Sequence, residues 1–305
     1  MRFVVTGAAG FIGSHLTEAL HARGDEVVAV DCFTDYYDPA LKEDNASAYD
    51  VARLDLAADD LALDGFDGVF HLAGQPGVRS SFQAFDNYVR RNLLATQRVF
   101  ESAARSGVRV VFASSSSVYG DAESYPTSED ADAAPISPYG ISKLGCEQLA
   151  YAYASSFGLD AVVLRYFTVY GPRQRPDMAL ARIVDALARG ASFELYGDGL
   201  QSRSFTYVAD VVAATLAAME QAPAGALYNV GGGEEASMLE AIALLEQISG
   251  SSLDVRRSDR ARGDVARTKA DVTRIGEVLG WSPKVTLADG LARMWSWASA
   301  KVAAQ

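Results

Sequence analysis

The chain has 305 residues, which suffices for one large α/β unit or for a nucleotide-binding domain with a smaller companion. Its 39 acidic and 27 basic residues give a net charge of -12, and no dense Lys/Arg run is present, so the composition argues against a nucleic-acid partner. The two cysteines, Cys32 and Cys146, have neither metal-site spacing nor the number of a disulfide framework, so we expect both to be reduced and no metal to be bound.

A short apolar strand is predicted at residues 3–6, directly at the start of the chain. This leaves no room for a signal peptide, and no later apolar run reaches the length of a membrane span. We therefore expect a soluble, cytoplasmic protein without a membrane partner.

A glycine-rich run, GAAGFIG at residues 7–13, follows this strand and opens a predicted helix. Gly7 permits a tight turn, Gly10 lets the backbone approach a pyrophosphate, and Gly13 lets the helix pack against the strand. The run alone is weak evidence for a dinucleotide site. It gains weight because a second predicted strand, residues 26–31, ends in Asp31 at the distance expected for binding a ribose 2′-hydroxyl. A carboxylate there would repel a 2′-phosphate, which favours NAD over NADP, although Asp31 also fits a solvent-facing turn.

Two further strands are predicted before residue 76. Residues 53–56 end the third strand, and residues 69–75 form the fourth strand and its exit, where small residues let a loop pass over a cofactor. His71 is a possible catalytic group, but it lies inside an apolar run, which is more typical of a core histidine.

A long helix is predicted from residue 77 through residue 103, with apolar positions around more than one stripe. The fifth strand, residues 108–113, leads to the serine run of residues 114–117 at the carboxyl edge of the sheet. Ser114 and the serines after it should therefore point into a site. Residues 121–135 are polar and bounded by prolines, which predicts a loop over the entrance to that site.

Tyr139 and Lys143 lie four residues apart in a helix predicted to begin at Ser137 and Pro138, so both side chains should share one face. A free tyrosine is a poor base near neutral pH, because its pKa is about 10. A nearby ammonium favours the phenolate, and a serine hydroxyl can bond the same substrate oxygen. Taken alone, the pair also fits an exposed surface of an amphipathic helix. Next to a nicotinamide, it suits proton removal from an alcohol.

With the glycine run, these residues make the chain similar to the extended short-chain dehydrogenases/reductases, specifically the nucleotide-sugar epimerases, over essentially its whole length. The resemblance implies an α/β fold with a doubly wound parallel (Rossmann-type) sheet and a smaller, mostly C-terminal α/β substrate domain. It implies an NAD-binding domain at 1–166 and 207–229, and a nucleotide-sugar domain at 167–206 and 230–305. It also implies a homodimer through the helix at 77–103 and the helix that bears Tyr139 and Lys143.

The later elements are less regular. A strand is predicted at residues 161–166, a helix at 178–189, a helix opened by residues 204–211, and a strand at 226–230. The break in strand and helix alternation after residue 177 indicates substrate-domain material.

The resemblance assigns roles to particular residues. Asp55 is expected to face the adenine amino group, although it also fits a turn. The expected catalytic residues are Tyr139, Lys143, Ser115 and Ser116. The expected cofactor-binding residues are Gly7, Gly10, Phe11, Ile12, Gly13, Asp31, Asp55, Leu56, Leu72, Ala73, Ser114, Tyr139, Lys143 and Tyr166. The expected substrate-binding residues are Ser116, Ser117, Thr168, Arg175, Arg203, Arg262 and Asp264.

The substrate residues remain open to simpler interpretations. Arg203 matches a family arginine that binds a diphosphate, and Arg262 with Asp264 resembles a late arginine and acid that hold a phosphate and a ribose. Arg262 is displaced by one position from the usual spacing, and each arginine also fits a plain surface charge. Gly74 replaces a second alanine usual in the family, a departure that should change little beyond local flexibility.

The reaction is inferred from the residues around Ser117. Family dehydratases carry an acidic pair after this serine region and decarboxylases a glutamate before Val-Tyr-Gly, whereas this chain has Ser116, Ser117 and then Val118. Without such an acid, ketone formation should be followed only by reduction, which is epimerisation.

The segment from Thr168 to Pro176 resembles epimerases acting on UDP-glucuronic acid. Arg175, with Ser116, Ser117 and Thr168, would bind the C5 carboxylate and restrain its loss, or Arg175 would only pin its loop. The leading hypothesis is an NAD-retaining 4-epimerase that interconverts UDP-glucuronic and UDP-galacturonic acid. The alternatives are a UDP-glucose/UDP-galactose 4-epimerase, and less favoured a UDP-glucuronate decarboxylase, a sugar-nucleotide dehydratase or a non-catalytic NAD-sensing protein.

Overall fold

The computed structural model describes residues 1–259 and 265–303. Its strands are β1 (Arg2–Thr6), β2 (Glu26–Asp31), β3 (Val51–Arg53), β4 (Gly68–His71), β5 (Arg109–Ser115), β6 (Ala161–Tyr166), β7 (Thr168–Tyr170), β8 (Ser192–Tyr196), β9 (Ser202–Tyr207), β10 (Leu227–Val230), β11 (Glu235–Ser237), β12 (Asp254–Ser258) and β13 (Arg267–Thr268). Its α-helices are α1 (Phe11–Ala22), α2 (Pro39–Asn45), α3 (Phe85–Tyr88), α4 (Ala95–Ser106), α5 (Pro138–Phe157), α6 (Ala179–Arg189), α7 (Val208–Gln221), α8 (Met238–Ser249), α9 (Thr273–Leu279) and α10 (Leu287–Ala303).

The main sheet has seven parallel strands in the order β10-β6-β5-β4-β1-β2-β3. The strand order reverses at β1, which has β2 on one side and β4 on the other. In a parallel sheet this reversal opens a crevice at the carboxyl ends of the strands, where ligands bind. The predicted α/β fold with a doubly wound sheet is confirmed.

Each face of the main sheet is covered by its own apolar core. Alternate residues of β1 point to opposite faces, so Phe3 and Val5 pack with Leu16 of α1, whereas Val4 packs in a second core with Phe100 of α4. Burial on both faces explains why these strands are continuous apolar runs in the sequence.

Smaller sheets lie beyond the main sheet. One has the order β11-β9-β13, with β7 also paired to β9, and the other joins β12 to β8. In the first of these sheets Thr168 lies opposite Phe205, and Arg203 lies opposite Thr268. Candidate substrate residues from distant parts of the sequence are thereby brought to one small sheet.

Three predicted elements differ from the structure. The third strand ends at Arg53, so residues 54–56 already belong to its exit. The predicted helix of residues 77–103 is interrupted: a 3₁₀ turn at Ser80–Phe82 is followed by α3, a π-helical turn at Val89–Leu94, and α4. Residues 204–207, predicted to open a helix, form the end of β9, because pairing with β7 and β11 satisfies their backbone as a strand.

The predicted division into a cofactor domain and a substrate domain stays a prediction. Within the part of the chain that the structure describes, no helix combines the length and the apolar character needed to cross a membrane.

Candidate active site

The glycine turn after β1 is too crowded for larger residues. Gly7 has a φ of 70°, and a Cβ added to it would lie 2.8 Å from the Ala73 nitrogen at the exit of β4. A Cβ on Gly13 would lie 2.1 Å from the Gly7 carbonyl oxygen. Gly7 therefore provides the left-handed turn, and Gly13 lets α1 start directly against it.

The N-terminus of α1 is built to receive an anion. The helix begins at Phe11, and its N-cap residue Gly10 has no side chain to bond the first-turn N–H groups, which include that of Ile12. These groups and the helix dipole favour a phosphate at this end. This turn fits the pyrophosphate of a dinucleotide.

Asp31 lies beside this turn and is only 8% exposed. Its carboxylate accepts hydrogen bonds from the Ala9 nitrogen at 3.2 Å and from the Phe33 nitrogen at 2.8 Å. These bonds fix the carboxylate next to the glycine turn, where a ribose hydroxyl of a bound dinucleotide would meet it.

The other expected cofactor residues have varied surroundings. Asp55 accepts a bond from the Arg90 guanidinium at 2.7 Å, and this bond lowers the pKa of the Asp55 carboxyl. Leu56 is buried next to it. The hydroxyl of Tyr166 is bonded to Thr215 of α7, so it is directed into the core. The roles of these residues towards NAD stay predictions.

The remaining cofactor candidates follow β4 and β5. Leu72 and Ala73 lie directly behind the glycine turn, and the Ala73 nitrogen donates to Thr6 Oγ1 at 3.2 Å. Ser114 is buried, and its hydroxyl donates to Glu147 of α5. Ser114 thus joins the end of β5 to the helix that carries Tyr139.

Tyr139 and Lys143 are positioned by α5. The helix begins where predicted, and the Ser137 side chain caps it by accepting from the Gly140 nitrogen at 3.1 Å. Lys143 is 6% exposed, and its Nζ donates to the Ala113 carbonyl at 2.8 Å and lies 4.9 Å from the centre of the Phe112 ring. Tyr139 is half-buried one turn earlier on the same helix. The arrangement suits an acid/base tyrosine with a fixed cation nearby.

Asn92 is a site residue that sequence reasoning missed. It lies in the π-helical turn, and its Oδ1 accepts from the Gln75 nitrogen at 2.6 Å while its Nδ2 donates to Ser142 Oγ at 2.9 Å. Ser142 lies between Tyr139 and Lys143 in the sequence, so Asn92 connects the exit of β4 to α5. The sequence offered no clear signal, because Asn92 follows Arg90 and Arg91 in a segment that reads as an ordinary helix. The wider turn, of a kind often found at functional sites, shows only in the structure.

Ser115, Ser116 and Ser117 form the turn after β5. Ser115 Oγ accepts from the Ser117 nitrogen at 3.2 Å and donates to Ser117 Oγ at 3.2 Å. This turn exposes hydroxyl groups at the carboxyl edge of the sheet, near the start of α5.

His71 is a core residue, as predicted. It is fully buried between Thr6 and Thr96, whose hydroxyls lie 2.7 and 3.0 Å from its two ring nitrogens. Burial, with a smaller effect of the Lys143 charge, lowers the pKa of His71 to about 3. The imidazole is therefore neutral at physiological pH, and both of its nitrogens face threonine hydroxyls in the core.

Two adjoining pockets continue from the serine turn. The serine pocket, of about 170 Å³, is lined by Ser116, Ser117, Ser137, Thr168 and Thr268, among others. The aromatic pocket, of about 160 Å³, is lined by Phe193, Tyr196, Gln201 and Arg182, among others. Both share Arg79, Thr168 and Arg203, so together they form one cleft that can hold an extended ligand.

Arginines line this cleft. Arg203 donates to the backbone carbonyls of Ser202 and Val265, both at 2.8 Å. Arg79 and Arg182, which sequence reasoning missed, stack on the Tyr196 ring at 4.3 and 5.7 Å. Only their position beside the cleft reveals them, because in the sequence they are isolated surface-type charges. Guanidinium groups around a cleft suit phosphate oxygens.

Arg175 already has a carboxylate partner in the protein. Its Nε and Nη2 each bond the Asp177 carboxylate at 3.0 Å, and Asp177 also accepts from the Tyr36 hydroxyl at 3.2 Å. The expected Arg262 and Asp264 lie outside the described residues.

Comparisons with known proteins agree on the family. Residues 3–231 match the model of the NAD dependent epimerase/dehydratase family. The uncharacterised UDP-glucose epimerase YtcB of Bacillus subtilis is 41% identical over 303 residues, which cover 95% of this chain and 96% of that protein. The UDP-glucuronate 4-epimerase of Thermodesulfobacterium geofontis is 34% identical over 98% of this chain and 97% of its own length. The crystal structure of a Bacillus cereus UDP-glucuronic acid 4-epimerase with UDP-glucuronic acid and NAD has a TM-score of 0.95 and 39% identity, covering 99% of this chain and all of that one.

Proposed function

Because this chain belongs to the NAD dependent epimerase/dehydratase family and is an NAD-dependent UDP-sugar 4-epimerase, we propose that it interconverts UDP-glucuronic acid and UDP-galacturonic acid. The glycine turn and Asp31 would hold NAD, which would supply an acceptor for the C4 hydride and a donor for its return to the other face of the sugar. The chain itself supplies the binding sites, the proton transfer at the C4 oxygen and the room in which the 4-keto sugar turns over.

Proton transfer is proposed for Tyr139. Its phenolate takes the C4 hydroxyl proton and later returns it, and the buried ammonium of Lys143 stabilises the phenolate. Ser115 and Ser116 contribute hydroxyls to the same sugar oxygen, and the Asn92 bond to Ser142 keeps the start of α5 in register with the exit of β4.

The lining residues of the serine pocket support a uronate as the substrate. Its described lining residues include five hydroxyl side chains and two arginines, Arg79 and Arg203, and none of them is acidic. In a chain of net charge -12, such a pocket favours an anionic group. Hydroxyl donors from Ser116, Ser117 and Thr168 suit the two oxygens of a C5 carboxylate.

The aromatic pocket suits the nucleotide part of the substrate. Arg203 and Arg182 line it and offer donors for a diphosphate, while Phe193 offers a flat apolar surface for a base. The two pockets meet at Thr168 and Arg203, so a diphosphate there would join a sugar in one pocket to a nucleoside in the other.

We also propose a homodimer through α5 and the segment before α4. Phe85 and Val89 are 42% and 41% exposed one turn apart, and Ile141 on α5 is 52% exposed. Gly145 lets the two elements approach closely, because a Cβ there would lie 2.7 Å from the Leu93 side chain. A second copy of the same apolar surface would bury these residues.

The experiment that tests the substrate is incubation of the purified protein with UDP-glucuronic acid and UDP-glucose in separate reactions without added NAD, followed by NMR of the products. We expect UDP-galacturonic acid from the first and little turnover of the second. Conversion of UDP-glucose alone would overturn the uronate assignment in favour of a UDP-glucose/UDP-galactose 4-epimerase, the alternative favoured by the similarity to YtcB. A stoichiometric need for added NAD would overturn the epimerase cycle.

A further inference from the structure

Arg175 is held from one side. The bidentate bond to Asp177 uses its Nε and Nη2 atoms, while Nη1 has no partner among the residues that the structure describes. The two side chains are 22% and 36% exposed, so the pair lies at the edge of the protein interior. A guanidinium bound in this way keeps one edge in a fixed direction for another acceptor.

Asp177 is fixed in turn by a second loop. Tyr36, in the connection between β2 and α2, donates its hydroxyl to Asp177 Oδ2 at 3.2 Å and lies 3.4 Å from Ser80 Oγ. There is no spare room around this phenol, because a Cβ on Gly77 would lie 2.1 Å from its oxygen. Tyr36 thus ties the loop carrying Arg175 to the loops after β2 and β4.

The ionisation states of Arg175, Asp177 and Tyr36 fit the hydrogen bonds between them. Although burial opposes ionisation, the Arg175 guanidinium and the Tyr36 hydroxyl hold the pKa of Asp177 below its ordinary value. Burial raises the pKa of Tyr36. At neutral pH an ionised carboxylate therefore accepts from a neutral phenol and a charged guanidinium.

The group lies next to the reacting centre. One link runs through Tyr36, because the hydroxyl that donates to Asp177 also lies 3.4 Å from Ser80 Oγ. The Tyr88 ring provides a second link, because its hydroxyl is 2.6 Å from Ser80 Oγ and its edge faces the Tyr139 ring at 6.2 Å.

We propose that Asp177 and Tyr36 are positioning residues that hold the free edge of Arg175 towards the C5 carboxylate of the substrate and thereby protect that carboxylate from loss. The proposal rests on the proposed uronate substrate. Neither residue touches the reacting atoms; each acts through Arg175.

The position of the Arg175 guanidinium matters because the 4-keto intermediate can lose its carboxylate. Oxidation at C4 creates a β-keto acid, in which the C5–C6 bond can break with release of carbon dioxide. The bonding electrons then form an enolate of the 4-keto sugar, which takes a proton at C5, and return of the hydride gives a UDP-pentose. Bond breaking requires the sugar ring to pucker until the C5–C6 bond stands parallel to the ketone π orbital. This change moves the carboxylate to a new position, and a guanidinium that holds the carboxylate in place opposes the movement.

The test compares Asp177→Asn and Tyr36→Phe with wild type on UDP-glucuronic acid, measuring the UDP-pentose fraction of the product by NMR together with kcat and KM. Arg175→Ala sets the upper limit of the effect. Asp185→Asn is the matched control, because Asp185 forms an exposed pair with Arg189 on α6. Tyr153→Phe removes a hydroxyl elsewhere on α5.

We expect Asp177→Asn to raise the pentose fraction about tenfold, Tyr36→Phe to raise it about threefold, and both controls to match wild type. If the UDP-pentose fraction is unchanged in both variants, whatever happens to kcat, Asp177 and Tyr36 only stabilise their loops and the proposal is overturned. A lower KM for UDP-glucuronic acid in Asp177→Asn with an unchanged fraction would mean that Asp177 competes with the substrate, which also overturns it.

If Asp177→Asn does not fold, Tyr36→Phe alone decides. A wild type that does not turn over UDP-glucuronic acid refutes the proposed function itself, a result distinct from all of these.

Discussion

Lys143 places a charged group in the protein interior. One of its three N–H donors is used by the Ala113 carbonyl, and the ammonium also lies over the Phe112 ring. An unpaired buried ammonium is costly, so the remaining donors need acceptors. The proposed reaction provides two such acceptors, the Tyr139 phenolate and a ribose hydroxyl of the cofactor. The buried Lys143 ammonium should therefore be more stable when the cofactor is bound.

Replacing Tyr139 with Phe removes the proposed acid/base group and keeps the ring. Loss of a positioned acid/base group lowers turnover by about a hundredfold to ten-thousandfold, and we expect this loss with little change in the amount of NAD that copurifies. Steady-state kinetics and cofactor quantification measure the two effects. Tyr153→Phe on the same helix should leave both at wild-type values, and turnover above a tenth of wild type in Tyr139→Phe would assign the base elsewhere.

His71 makes stability depend on pH. Its folded pKa of about 3 lies below the ordinary value of 6.5, so between these values the unfolded chain binds a proton that the folded chain does not. Its contribution is complete above about pH 6.5 and falls with the pH, by about 2 kcal/mol at pH 5.

Denaturant unfolding at pH 7 and pH 5 measures this effect. His71→Gln cannot titrate, so the loss of stability between the two pH values should be about 2 kcal/mol smaller than in wild type. The exposed His21 serves as the control, since His21→Gln should lose as much as wild type. Equal losses in wild type and His71→Gln would show that His71 is protonated in the folded protein at pH 5.

At the scale of elements, α5 is fixed to the sheet by a buried ion pair. Glu147 accepts from Arg165 of β6 through Nε at 3.0 Å and Nη2 at 2.7 Å, and both side chains are almost fully buried. Arg165 also lies over the Tyr119 ring at 4.7 Å, and the Ser114 hydroxyl donates to Glu147. The pair therefore holds α5, β6 and the serine turn in one arrangement.

Glu147→Gln leaves the Arg165 guanidinium buried without its counter-charge. Removing one partner of a buried pair costs about 3–5 kcal/mol, and we expect a loss of that size in the free energy of unfolding measured with denaturant. The double variant Glu147→Leu with Arg165→Met should recover most of it, because no buried charge remains. Glu26→Gln, at the exposed pair with Arg2, should cost less than about 1 kcal/mol. A cost in Glu147→Gln no larger than this control would refute the role of the pair.

Local signals predicted some elements well and others poorly. Ser137 and Pro138 define the start of α5 because capping and the fixed proline φ act within one turn. The helix at 77–103 was predicted as continuous because its residues are compatible with a helix throughout. Its interruption follows from contacts distant in sequence, such as the Asn92 bonds to Gln75 and Ser142. Tyr36 and Asp177 were missed for the same reason, since 141 positions separate them.

At the scale of the whole molecule, the loop between β7 and α6 joins the smaller sheets to the cofactor side. The Pro172 carbonyl lies 3.0 Å from His15 Nε2, and Arg173 pairs with Glu18 at 2.7 Å, both on α1. Asp177 completes the connection to Tyr36. The fold class was predictable from the glycine run and from the apolar segments that alternate with predicted helices. The path of this loop was not predictable, because nothing in residues 171–177 themselves specifies which helix they contact.

The proposed dimer is a property of the whole molecule and predicts its mass in solution. Size-exclusion chromatography with light scattering should give twice the 32.5 kDa of the chain. Phe85→Glu with Val89→Glu places two charges in the apolar surface and should yield a monomer. Val278→Glu changes a valine on α9 that is at least as exposed as Val89 and should remain dimeric. A monomeric wild type, or a double variant that stays dimeric, would refute this interface.

None of the serine-pocket residues that the structure describes is acidic, and this has a kinetic consequence. A UDP-sugar carries the negative charge of its diphosphate, and the proposed uronate adds a carboxylate. The long-range field of a molecule of net charge -12 repels this substrate until it comes close to the arginines of the cleft. The Debye length is about 30 Å at 0.01 M salt and about 8 Å at 0.15 M. Added salt therefore removes the repulsion before it weakens the contacts inside the cleft, and the association rate of the substrate should rise with ionic strength up to the physiological range, the opposite of an enzyme that steers its anionic substrate from a distance.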